Sequence, residues 1–87
     1  MRHARSDDLD PLTALLAELR TIDGLTERSP GTFYRGSQAF LHFHADPAGL
    51  FADLKVDGEF VRSRVSTRRE RRALLTAAHR AIARRSP

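Results

Sequence analysis

The stretch from Thr32 to Val65 constrains the fold most. Apolar residues recur there at alternate positions, and the run is broken only by Gly36-Ser37, Asp46-Pro47-Ala48-Gly49 and Asp57-Gly58. A period of two marks β-strands, and short Gly, Asp or Pro clusters between such runs mark tight turns. Four antiparallel strands in a meander are therefore predicted. A two-residue turn at Gly36-Ser37 pairs Arg35 with Gln38, Tyr34 with Ala39, Phe33 with Phe40 and Thr32 with Leu41. A four-residue loop over 46–49 pairs Ala45 with Leu50, Phe43 with Ala52, His42 with Asp53 and Leu41 with Leu54. Asp57-Gly58 is the strongest hairpin signal, and a two-residue turn there pairs Val56 with Glu59, Leu54 with Val61, Asp53 with Arg62 and Phe51 with Arg64.

These registers agree on faces. Tyr34, Ala39, Leu41, Phe43, Leu50, Ala52, Leu54, Val61 and Val65 fall on one side, which is the expected core. The other side receives Phe33, Phe40, Phe51 and Phe60 with His42, His44, Asp53, Lys55, Arg62 and Arg64.

Helical signals flank the meander. Asp10 before Pro11 reads as an N-cap followed by proline at the first helical position, and Leu12, Leu15, Leu16, Leu19 and Ile22 share one helical stripe ending near Gly24. Residues 25–30 read as a loop or short extended segment. Thr67 and Glu70 have the spacing of a capping box, and Leu74, Leu75, Ala78, Ala81 and Ile82 line the helix that follows. Two helices with one apolar stripe each need an apolar partner surface, and the sheet offers one. The expected class is α+β, a two-layer sandwich of order α-β-β-β-β-α.

With 87 residues the chain has room for one core. The reading is a flexible segment over 1–8 and a single domain over 9–85. The absence of cysteine excludes disulfides, a thiol nucleophile and thiolate metal ligands. No apolar run is long enough to span a bilayer and Met1–Asp10 lacks a secretory-type apolar stretch, so a cytoplasmic protein with no membrane partner is expected. Ser37, Ser63 and Ser66 sit in no nucleophile elbow, and no phosphate-cradling glycine motif is present. The reading is non-enzymatic, without a cofactor.

Candidate functional residues fall into three sets. The aromatic sheet face, with Phe33, Phe40, His42, His44, Phe51, Asp53, Phe60, Arg62 and Arg64, suits a homodimer interface or a ligand surface, because an apolar patch of that size normally has an occupant. The charge is lopsided: residues 1–61 carry −4 and residues 62–87 carry +8. Arg69, Arg72, Arg80 and Arg84 recur along one side of the last helix, where they could hold the phosphates of a nucleic acid. His42 and His44 are two apart on one strand, so both imidazoles face one way. Asp53, opposite His42, is the candidate third metal ligand, with Asp46 in the turn of uncertain reach.

The order of residues also resembles a known family. Residues 15–25 (LLAELRTIDGL), Gly31 to Tyr34, Gln38-Ala39-Phe40 and Leu54-Lys55-Val56 resemble the small MmcQ/YjbR-like domains. That resemblance implies a compact α+β domain with DNA binding suggested and no catalytic residue to carry over. Leu41-His42-Phe43-His44 is also similar to a Gly-His-x-His stretch of small luciferase-like domains, with Leu41 in place of the glycine.

Overall fold

The computed structural model describes residues 2–83. It is an α+β fold with an antiparallel sheet and two helices. Strand β1 (Arg2–His3) is followed by a turn of 3-10 helix (Asp7–Leu12) running into helix α1 (Thr13–Arg20). Strands β2 (Leu25–Ser29), β3 (Thr32–Arg35), β4 (Gln38–Asp46), β5 (Gly49–Val56) and β6 (Glu59–Arg64) come next, then helix α2 (Arg68–Ala83). The sheet order is β2-β3-β4-β5-β6, and β1 pairs with the far end of β4.

Strands β3 to β6 are the four expected from the alternation, in chain order. The other two were not foreseen. Leu25–Ser29, expected as a loop or extended segment, pairs with β3 over Leu25↔Arg35 to Ser29↔Thr32. Arg2–His3, expected as part of a flexible lead-in, pairs with β4 as Arg2↔Ala45 and His3↔His44. The Ala4 N–H donates to the Phe43 carbonyl, and Arg2 and the Arg5 N–H both bond the Asp8 carboxylate, so the lead-in is held at both ends. Two residues of strand carry no readable period, which is why the pairing is silent in the sequence.

The hairpins at the second and third turns have the expected partners throughout. Asp57 (φ 51) and Gly58 (φ 86) are both left-handed, as a type I′ turn requires. The loop at the second turn is shorter than expected. Asp46 pairs with Gly49, leaving Pro47-Ala48 as the connection, and the Asp46 carboxylate takes the Ala48 N–H.

The first hairpin departs from its expected register. Arg35↔Gln38 and Tyr34↔Ala39 hold, but Phe33 faces Leu41 and Thr32 faces His42, with Phe40 as the extra residue of a β-bulge. The faces change accordingly. Phe33 and Phe40 are 1% and 3% exposed and belong to the helix-side core with Leu41, Phe43, Ala52, Leu54 and Val65. Tyr34, expected in the core, is only half-buried and carries the Arg28 guanidinium over its ring at 4.2 Å. Energy explains the exchange. Burying a phenylalanine is worth roughly 1.5–3 kcal/mol, whereas one perturbed ladder hydrogen bond costs about 1 kcal/mol net. The bulge turns two rings inward for one local defect.

Leu9, Leu12, Leu15, Leu16 and Leu19 cover this face from the N-terminal side, and Leu74 and Ala78 of α2 cover it from the other. The helix begins a turn later than Asp10-Pro11 implied: Pro11 lies inside the 3-10 segment, and burial of Leu9 draws that extra turn onto the core. The capping box forms as expected, with the Glu70 N–H donating to Thr67 Oγ1 and the Thr67 and Ser66 N–H groups donating to Glu70 Oε1. At the other end, Arg35 donates to the carbonyls of Ala81 and Ile82, a cation at the negative pole of α2. Val61, expected in the core, is 53% exposed. Across from it α2 presents Ala73 and Ala77, which are too short to reach the last strand, so a groove remains between β6 and the helix.

Candidate metal centre

The face turned away from the helices carries the polar cluster, and four strands build it. On β4, alternation puts His42 and His44 on this side, with Phe43 between them in sequence. The β5 register sets Asp53 against His42 and Phe51 against His44, and β6 sets Arg62 against Asp53. Finally β1 lays His3 beside His44. The result is two rows that meet at the imidazoles.

Distances within the cluster are short. His42 Nδ1 lies 2.9 Å from His44 Nε2, and His44 Nε2 lies 3.0 Å from Asp53 Oδ2. The Asp53 carboxylate receives Arg62 Nε and Nη2 at 2.8 Å each, a two-pronged pair. His3 closes the group: its ring centroid is 5.0 Å from that of His44 and 5.7 Å from that of His42, and one ring nitrogen from each of the three histidines lies within 4.8 Å of the others. Phe60 packs against His42 with centroids 4.9 Å apart and walls one side.

The two tautomers of His44 give these contacts different meanings. An imidazole nitrogen is either a donor or an acceptor at a given moment. With its proton on Nε2, His44 donates to the ionised Asp53 and shares that hydrogen with His42 Nδ1 as the acceptor. With its proton on Nδ1 instead, His44 turns an Nε2 lone pair toward His42 Nδ1 and Asp53 Oδ2, and the His3 ring lies alongside. Nitrogen and oxygen lone pairs brought this close together are what a cation needs. In a tetrahedral site with metal–nitrogen bonds of about 2.0–2.1 Å, neighbouring nitrogens stand about 3.3 Å apart. His42 and His44 need open by only a few tenths of an ångström, and His3, exposed on a two-residue strand, can close the rest.

Protonation favours the same outcome. Burial, helped by the neighbouring His44, His3 and Arg62 and opposed by Asp53, pushes His42 below the ordinary histidine value, so its imidazole is neutral at pH 7. The hydrogen bonds from Arg62 hold Asp53 below the usual carboxylate range despite its burial, with both histidines adding to the effect, so it stays ionised. Asp53 is 7% exposed and is the one polar or charged residue in the buried set among the described residues.

The structure thus brings His42, His44, Asp53 and Arg62 together as the registers implied, and it adds His3, which sequence reasoning missed. A third histidine ahead of a His-x-His strand was the only available signal. Asp46 instead serves the Pro47-Ala48 turn through its bond to the Ala48 N–H. Phe51 and Phe60 lie on this face as expected, with Arg64 over the Phe51 ring and Lys55 over the Phe60 ring. Phe33 and Phe40 do not, so the aromatic area available to an interface is much smaller than four rings. Arg69, Arg72 and Arg80 are exposed on α2, on the opposite layer of the molecule, and Arg84 lies outside the described residues. No helix among the described residues is long and apolar enough to cross a membrane.

In comparisons with known proteins, no family model, curated protein or solved structure matches this chain.

Proposed function

We propose that this chain is a small metal-binding domain that takes a divalent first-row ion, Zn²⁺, Cu²⁺ or Ni²⁺, on His3, His42 and His44. The observation that carries the reading is the three imidazole nitrogens within 4.8 Å of one another. Donor chemistry selects the ion class: imidazole suits these borderline ions, while sites for Ca²⁺ or Mg²⁺ are built from oxygen ligands. Asp53, fixed by Arg62, supplies the fourth ligand through Oδ2, which lies 3.0 Å from His44 Nε2. A bound ion would tie β1 to the central hairpin.

The test is direct calorimetric titration of untagged, chelator-stripped protein with each ion at pH 7.5. One ion per chain is expected, and His44→Ala should weaken it by at least 100-fold. Equal affinity of the wild type and the His42→Ala/His44→Ala double variant would refute the reading.

A further inference from the structure

Phe60 and Val61 are the exposed large hydrophobic residues of the described chain, at 43% and 53% exposure, and they are neighbours on β6. Every residue of β6 is exposed, and the strand ends the sheet. Edge strands are usually blunted by charge, proline or a bulge. The opposite edge follows that rule, since β2 has a register shift between Glu27 and Ser29 and is followed by Pro30. On β6 the two arginines are turned away from the edge, which leaves Glu59, beside the turn, as its one other charge. Arg62 lies back over β5 onto Asp53, and Arg64 lies back onto the Ala48 carbonyl.

The hairpin also fixes which backbone groups are free. The residues flanking a two-residue turn form a hydrogen-bonded pair, so Glu59, Val61 and Ser63 direct their N–H and C=O groups to β5. Phe60, Arg62 and Arg64 direct theirs outward. We propose that β6 pairs antiparallel with β6 of a second copy of this chain, about a two-fold axis through Val61.

Three registers around the strand centre keep both copies' helices on one face of the joined sheet. Centring on Arg62 sets two guanidinium groups face to face, and like charges directly opposite are unfavourable. Centring on Phe60 sets Arg62 opposite Gly58 and leaves it without a cross-strand partner. Centring on Val61 sets Val61 against its copy in a non-hydrogen-bonded pair, where side chains approach most closely, and sets Phe60 against the partner's Arg62, whose aliphatic stem can lie along the ring while the guanidinium stays on Asp53. It also makes hydrogen-bonded pairs of Phe60 and Arg62 in both directions. On the helix side the paired valines close the open flank of the groove lined by Leu54, Val56, Ala73 and Ala77.

Sedimentation equilibrium over a wide concentration range, in EDTA to exclude metal bridging, tests this. Wild type should rise from 9.8 kDa toward twice that mass. Val61→Lys and Val61→Glu, both at an exposed site that folding does not need, should each remain monomeric. An equimolar mixture of the two should recover the dimer, because only the Val61-centred register sets position 61 against itself. Wild type that stays monomeric at every concentration would overturn the proposal and leave the edge to a strand of another protein. A Val61→Lys variant that dimerises like wild type, or a mixture that does not recover, would overturn it equally.

Discussion

Replacing His3 by alanine separates the metal reading from a merely structural one, because His3 is exposed, sits on a strand of two residues and contributes little to the core. In the metal-free protein the substitution should change stability by less than about 0.5 kcal/mol, as surface changes usually do. With metal the expectation differs sharply. An ion present at 100 times its Kd stabilises a folded chain by about 2.7 kcal/mol. For a domain of this size each kcal/mol moves the melting temperature by roughly 4–8 °C. Wild type should therefore gain about 10–20 °C. Loss of one of three nitrogen ligands should weaken binding about 100-fold, at the upper end of what even outer-sphere changes cost. At the same metal concentration the variant is then half-saturated and gains about 0.4 kcal/mol, or about 2–3 °C. Thermal melts followed by circular dichroism, with and without Zn²⁺ or Ni²⁺, give the comparison. His79→Ala is the control, since His79 is exposed on α2 and outside the cluster. A His3→Ala protein that keeps the wild-type shift, or a His79→Ala protein that loses it, would refute the reasoning.

Asp53→Asn keeps the volume of a buried side chain but sets an amide against Arg62 and His44. It should lower the melting temperature by roughly 5–10 °C at pH 7. Because the folded carboxylate titrates below its unfolded value, its contribution is complete above about pH 4 and is lost as pH falls through the folded value. The gap between wild type and variant should close in acid, and a gap independent of pH would exclude ionic pairing as its cause. His42 titrates below the ordinary histidine value when folded, so the unfolded chain binds its proton first and metal-free stability should fall as pH drops below about 6.5. Phe33→Ala should cost about 3–5 kcal/mol in denaturant melts, as a buried ring does, whereas an unbulged hairpin with Phe33 on the open face predicts a much smaller loss. Thr67→Ala removes the hydroxyl that caps the Glu70 N–H and should cost about 1 kcal/mol; no measurable change would mean that the box is not formed in solution.

Much of the fold was legible in the residues themselves. Where a turn had one strong local solution, the register followed from it. Asp57-Gly58 can adopt two left-handed residues in a row, so β5 and β6 align as read, and with them Asp53 and Arg62. Alternation along β4 likewise placed His42 and His44 on one face with Asp53 across from them. The capping box at Thr67 and Glu70 is short-range chemistry and was visible for the same reason.

What tertiary structure alone decided were contacts between distant or patternless segments. Phe40 shifts the first hairpin by one residue because the buried cluster shared with the helices offers it a place, and that benefit lies outside the hairpin and outside any turn rule. Val61 has the alternation of a core residue, yet it stays exposed because the helix that crosses the sheet brings alanines to its side. The third histidine follows the same logic. Nothing local gives two residues of strand at Arg2–His3 a partner; the free end of β4 and the anchor at Asp8 do. Local sequence set the turns and the alternation within the central strands. Competition for buried area and for open sheet edges, resolved only when the whole chain is assembled, set which rings are hidden and which imidazoles meet.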